Sequence, residues 1–317
     1  LVDMRVQIGP LELRNPVLTA SGTFGYAKEF EGLVDFSRLG GVVSKTVTLE
    51  PRAGNPPPRI VETPAGMLNS IGLANDGVDR FIAEKLPYLA SLSTRVIVNV
   101  AGKSEEEFVA IVERLERESG FDAFELNFSC PNVKEGGLAF SSDPKVTERV
   151  TRAVRRVTSR CLIVKLTPNV TDIASIARAA EDGGADAISA INTVVGMAVD
   201  VYTRRPRLAT VTGGLSGPAI RPIAVARVWQ IAQQVRIPVI GVGGIFQPED
   251  ALEFLIAGAT AVQIGTAHFV QPDAAVRVAE GIENYCERYG FRSVRQIIGS
   301  LDTTSPDPSG AAAISTE

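Results

Sequence analysis

Eight short apolar runs recur along this chain, and between most of them lies a longer stretch whose apolar residues return every three or four positions. The short runs cover residues 17–20, 41–45, 96–99, 123–127, 162–165, 187–191, 238–242 and 261–264. The longer stretches include 76–92, 104–119, 144–159, 172–182, 219–235 and 248–257. The first set reads as buried strands and the second as amphipathic helices. Strands that alternate with helices make a parallel sheet. Eight such units over roughly 250 residues fit a closed (β/α)8 TIM barrel, an α/β fold, better than an open doubly wound sheet. Apolar alternations Val6/Ile8 and Leu11/Leu13, set about Gly9-Pro10, predict a short N-terminal hairpin that plugs the barrel floor.

No linker divides the chain, so residues 1–317 are read as a single barrel domain with insertions at its C-terminal face. The Pro-rich stretch 51–64 is too short to separate domains and reads as a rigid loop. Residues 192–217, long and polar, read as a second loop over the active site. From residue 303 to 317 the sequence reads as a frayed tail.

Composition removes several classes. A net charge of −4 gives no basic footprint for nucleic acid. Cys130, Cys161 and Cys286 are odd in number and far apart, which argues against a disulfide framework, fits a reducing cytoplasm, and cannot supply a four-ligand zinc or iron–sulfur site. No signal peptide or anchor is visible, and no apolar run reaches the ~18 residues of a spanning helix.

The chemistry is expected where the strands end, because a barrel of this kind carries its active site at the C-terminal face. The closing residues are Ser21, Lys45, Asn99, Asn127, Lys165, Asn192, Gly243-Gly244 and Gly265-Thr266. A buried Lys or Asn costs several kcal/mol of desolvation unless it finds a partner. Two of the chain's seven lysines, Lys45 and Lys165, stand in this ring, so an anionic or strongly hydrogen-bonding ligand is expected between them. Gly243-Gly244 and Gly265-Thr266 close strands seven and eight, where this fold commonly binds phosphate through backbone N–H groups, and Gly217 offers another close backbone approach. Cys130 follows strand four in the turn Ser129-Cys130-Pro131-Asn132, with Gly136-Gly137 beyond it. On residue pattern alone it fits a base or a nucleophile riding a loop over a pocket.

Several of these motifs together resemble one family. Asn69-Ser-Ile-Gly-Leu-Ala-Asn75, Asn127-Phe-Ser-Cys-Pro-Asn132, Ile163-Val-Lys165, Ile191-Asn-Thr193, Gly213-Gly-Leu-Ser-Gly-Pro218, Gly241-Val-Gly-Gly-Ile245 and Gly265-Thr266 look like dihydroorotate dehydrogenase, in order from about residue 6 to about 289. The resemblance implies an FMN-binding barrel that oxidises (S)-dihydroorotate to orotate in pyrimidine biosynthesis. A cysteine rather than a serine at 130, without an N-terminal extension, resembles soluble class 1. The runs 130–137 and 191–200 resemble the NAD-linked form, class 1B, rather than the fumarate-linked class 1A. That form implies a separate electron-transfer subunit carrying FAD and a [2Fe-2S] cluster, in a heterotetramer of two catalytic and two electron-transfer subunits. Alternatives are a dihydropyrimidine dehydrogenase-like FMN reductase and a catalytically silent docking flavoprotein.

The resemblance also implies roles. The reaction removes a proton from C5 and a hydride from C6, which makes Cys130 the base; a free thiol near pKa ~8.5 then needs activation or alkaline pH. Lys165 stabilises negative charge on the reduced flavin. Ser21, Lys45, Thr46, Asn99, Asn127, Lys165, Ile191, Gly217, Gly243, Gly244, Gly265 and Thr266 form the FMN cradle. Lys45, Asn69, Ser70, Ile71, Gly72, Leu73, Asn127, Asn192 and Thr193 hold the substrate, Asn being suited to a cyclic ureide because it both donates and accepts. No metal ligand is expected. Blander roles fall to Glu125 as partner of a cation, His268 as a surface or helix-start residue, Met67, Met197 and Trp229 as packing, and Cys161 and Cys286 as small buried hydrophobes.

Overall fold

The computed structural model describes residues 1–128 and 140–304. Cys130, its turn, and the tail from residue 305 therefore lie outside the described residues.

Eight parallel strands close into a barrel: β1 (Val17–Thr19), β2 (Gly41–Val43), β3 (Arg95–Val100), β4 (Ala123–Asn127), β5 (Cys161–Leu166), β6 (Ala187–Ala190), β7 (Val239–Val242) and β8 (Ala261–Ile264). Each pairs with its sequence neighbours and β8 returns to β1. Their continuous apolar character follows from burial on both faces: all six residues of β5 are inaccessible or nearly so. The strand readings from sequence hold to within a residue or two.

The outer ring holds α1 (Glu105–Glu116), α2 (Pro144–Arg155), α3 (Ile173–Asp182), α4 (Arg221–Ala232), α5 (Pro248–Ala257) and α6 (Ala274–Arg288), with a broken helical stretch, Val78–Arg80, Phe81–Lys85 and Leu86–Ala90, before β3. Each helix buries one stripe. In α1, Phe108, Ile111, Val112 and Leu115 face the barrel, and Ser104 accepts the Glu107 N–H to cap its start. Between β1 and β2 only two short turns, Lys28–Phe30 and Phe36–Arg38, replace a helix.

The hairpin forms as expected, Val6–Ile8 against Leu11–Leu13, with all four apolar residues buried. It sits beneath the strand starts, where Cys161 Sγ donates to the Ile8 carbonyl at 3.3 Å and Arg95 Nε donates to that of Glu12.

Two loop expectations need correction. Ile60–Thr63 and Gly66–Asn69, partly within the stretch read as a rigid loop, pair as strands; Val194–Met197 and Thr212–Ser216, within the supposed polar loop, join them in a four-stranded antiparallel sheet. Propensity conceals this sheet because Gly213 and Gly214 are poor strand formers. They are there for proximity: a Cβ on Gly213 would stand 2.6 Å from the Asn69 carbonyl oxygen.

Candidate active site

Alternate residues of a strand share a face, and register then decides which side chains meet. Asn99 is in register with Glu125, and Asn127 with Lys165, which in turn stands beside Ser189. Glu125 is fully buried. Its carboxylate accepts from Asn99 Nδ2 at 2.6 Å, Ser189 Oγ at 2.9 Å and Gln263 Nε2 at 2.6 Å, and Lys165 Nζ lies 3.9 Å away. The expectation of a cation partner for Glu125 holds, yet the residue is also the hub of four strands.

The network has a direction. Asn99 spends its amide N–H on the carboxylate, so its carbonyl oxygen takes the Thr46 hydroxyl proton at 2.6 Å. Thr46 Oγ1 is left as an acceptor for Asn127 Nδ2 and Ser21 Oγ, each at 3.4 Å. Asn192 Nδ2 reaches Asn127 Oδ1 at 3.4 Å, and its own Oδ1 accepts the Thr193 N–H at 2.7 Å. A carboxylate in the barrel core thus orders hydrogen bonds up to the mouth.

At that mouth lies a cleft of about 410 Å³. Ser21, Lys45, Thr46, Asn69, Asn127, Lys165, Asn192 and Thr193 all line it, with Ile71, Gly72 and Leu73 from the segment after the second strand of the antiparallel sheet. Two expected residues of the described set line neither this cleft nor the recess that adjoins it. Asn99 is fully buried beneath Thr46 and acts through it, and Ser70 is fully buried with no partner for its hydroxyl among the described residues. Asn99 is held below the opening by Glu125 and Thr46, whereas Ser70 turns inward while its neighbours Asn69 and Ile71 face the cleft.

A narrower recess of about 80 Å³ continues from the cleft, lined by Ile191, Gly217, Gly243, Gly244, Gly265 and Thr266. Gly244 has φ +73°, and a Cβ there would sit 2.8 Å from the Gly217 carbonyl oxygen and from Arg221 Cβ. The N–H groups of Gly244, Gly265 and Thr266 donate to no acceptor among the described residues. All three residues are half-buried on the wall of the recess, so their donors are open to a ligand rich in acceptor oxygens.

Cleft residues absent from the sequence reading include Arg59, Glu29, Ser216 and Phe269. Met67 lines the cleft rather than packing a core, and Met197 and Trp229 are exposed. Burial, and next the nearby Arg59 guanidinium, lower the pKa of half-buried Lys45. Lys45, Lys165 and Arg59 against Glu29 leave the cleft electropositive.

His268 is not at the surface. It is 3% exposed, the third residue of the short turn Thr266–Phe269, with Nδ1 3.1 Å from the Gly265 carbonyl. Burial lowers its pKa to about 4. Cys161 and Cys286 are buried as expected, and burial raises both thiols, Cys161 to about 12.

A family model described as "Dihydroorotate dehydrogenase" matches residues 3–286. The chain is 54% identical to "Dihydroorotate dehydrogenase B (NAD(+)), catalytic subunit" of Geotalea uraniireducens, over 95% of this chain and 99% of that protein. It is 52% identical to the protein of the same name in Bacteroides thetaiotaomicron, over 95% and 100%. Among solved structures, a DHODH from Eimeria tenella in complex with ferulenol superposes with a TM-score of 0.79 at 24% identity, covering 94% of this chain and 88% of that one, a likeness of fold.

Proposed function

The chain belongs to the dihydroorotate dehydrogenase family, as an NAD-linked catalytic subunit that oxidises dihydroorotate in pyrimidine biosynthesis, and from that premise we propose how its own groups divide the work. The observation that carries the assignment is the convergence in one cleft of Lys45, Lys165, Asn69, Asn127 and Asn192 beside a glycine-bounded recess of unpaired N–H groups.

The residues fit FMN. The recess suits a phosphate: it offers unpaired amides at Gly244, Gly265 and Thr266 and has no room for side chains at 217 and 244. Ser21, Thr46, Asn127 and Lys165 would hold the ring system, and Asn99 supports it through Thr46. When bound, FMN supplies the acceptor for the hydride that leaves C6 of the substrate.

Lys165 places a fixed positive charge where negative charge develops, and Glu125 keeps that ammonium at the top of the barrel. Lys45 pairs with the substrate carboxylate, and Asn69, Asn127 and Asn192 read the donor and acceptor pattern of the ring. The backbone at 71–73 and Thr193 complete the substrate wall. Cys130, which lies outside the described residues, is assigned by sequence as the base: its thiolate takes the C5 proton while the C6 hydride departs. A separate electron-transfer subunit, bearing FAD and a [2Fe-2S] cluster, carries the electrons on to NAD⁺.

Anaerobic mixing tests this. Dihydroorotate should bleach the bound flavin in a single turnover while dihydrouracil, lacking the carboxylate, should not. Colourless protein that releases no FMN on denaturation, or equal bleaching by both compounds, would sink the proposal.

A further inference from the structure

We propose that His268 is a positioning residue for the phosphate end of the cofactor: its ring holds the Gly265 carbonyl so that the Thr266 N–H is aimed into the recess. This rests on the FMN reading above and adds a residue to it. The argument begins with the peptide bond. In a trans peptide the C=O of one residue and the N–H of the next point in opposite directions. Fixing the Gly265 carbonyl therefore fixes the Thr266 N–H.

That carbonyl is held twice. The His268 backbone N–H donates to it at 3.0 Å, and His268 Nδ1 lies 3.1 Å away, within donating reach. A carbonyl oxygen has two lone pairs, so both are engaged by His268, which does not line the recess. Thr266, on the other side, has an N–H with no acceptor among the described residues, and its hydroxyl donates to Ser216 Oγ at 2.8 Å, which braces the same wall.

The ring is itself clamped. Phe24 and Phe30 pack edge-on against it, with centroids 4.7 and 5.8 Å away, and these belong to the segment that contributes Thr23, Gly25 and Glu29 to the cleft. With Nδ1 donating, Nε2 is the bare nitrogen, and it is buried without a partner. Burial also keeps the imidazole neutral at ordinary pH, since its pKa falls to about 4. His268 thus acts on a phosphate by orienting a dipole and contributes no cationic charge.

The test compares two ligands on apoprotein, FMN and riboflavin, which differ only in the phosphate, by quenching of flavin fluorescence. His268→Leu should weaken FMN by roughly tenfold, the scale of one charge-assisted hydrogen bond, and leave riboflavin within about twofold. His268→Asn, whose amide N–H can occupy the Nδ1 position, should retain most of the FMN preference. His268→Gln, whose amide extends toward the Nε2 position, should lose it. The Asn and Gln pair decides the matter even if the Leu variant does not fold. Parallel weakening of both ligands, unchanged FMN affinity in the Leu variant, or equal behaviour of Asn and Gln would overturn the inference. Wild-type apoprotein that binds neither flavin would instead overturn the FMN reading on which it rests.

Discussion

The two ends of this barrel carry similar polar side chains and use them in opposite ways. At the N-terminal end, Asp122 stands before β4 and accepts the Val96 N–H at 2.8 Å while pairing with Arg95 at 2.9 Å. Asp186 stands before β6 and does the same, accepting the Leu162 N–H at 2.9 Å and pairing with Arg155 at 2.8 Å. Donors and acceptors close on one another there. At the C-terminal end, three amide N–H groups and three cations face an opening. Volume does not separate the ends, since a groove of about 380 Å³ also lies among Arg5, Arg14, Arg38 and Glu280 near the floor. What separates them is whether polar groups are satisfied from within.

Glu125 tests where the boundary falls, because it lies in the polar core between the two regimes. Replacing it with Leu strands the Lys165 ammonium and three donors, a loss of about 3–5 kcal/mol for one member of a buried pair. Chemical denaturation of the apoprotein should show that drop. A variant of wild-type stability would mean that the network is ornamental to the fold and that the satisfied region ends below it.

Lys165→Ala, one strand away, should divide differently. Glu125 keeps Asn99, Ser189 and Gln263 as donors, so the barrel persists. Flavin reduction by dihydroorotate should slow by roughly 10²–10³-fold, the usual effect of deleting a group aimed at developing charge. Stopped-flow reduction within tenfold of wild type would remove Lys165 from the chemistry.

Asp186→Ala is the mirror case at the N-terminal end. It frees the Leu162 N–H and the Arg155 guanidinium, and stability should fall by about 1–3 kcal/mol, with FMN affinity and turnover unchanged once the protein is folded. A change in turnover at a temperature well below unfolding would erase the contrast between the ends.

The same contrast explains what the sequence could reveal. Strands and most helices are written in local periodicity, and the ring of strand-end residues follows once strand ends are known. Asn99 shows the limit: the sequence reads it as a strand end like Asn127, yet the strand runs on to Val100 and register sets Asn99 against Glu125, two strands acting together. The antiparallel sheet at the mouth was illegible because Gly66–Asn69 meets Thr212–Ser216 far along the chain, through glycines chosen for closeness rather than propensity. Arg59 was hidden for that reason, since only the fold brings residues adjoining that sheet to the cleft. His268 was hidden because its burial depends on Phe24 and Phe30, residues distant in sequence.

The smallest effect concerns the charge at the open end. Burial and then Arg59 hold the Lys45 pKa below the usual lysine value, and the lysine must be protonated to pair with a carboxylate. Affinity for orotate is therefore full below that pKa and falls as pH rises through it, by a few-fold for one partly exposed ion pair. Lys45→Met should flatten this part of the profile, and subtracting its curve cancels any titration of the ligand. Arg59→Met should move the wild-type inflection upward, because it removes the second cause of the depression while leaving burial in place. An inflection in the ordinary lysine range, near ~10.4, that ignores Arg59 would show that the cations at the mouth do not sense one another. The open end would then be a set of independent charges, and its contrast with the paired end would rest on the unpaired amides alone.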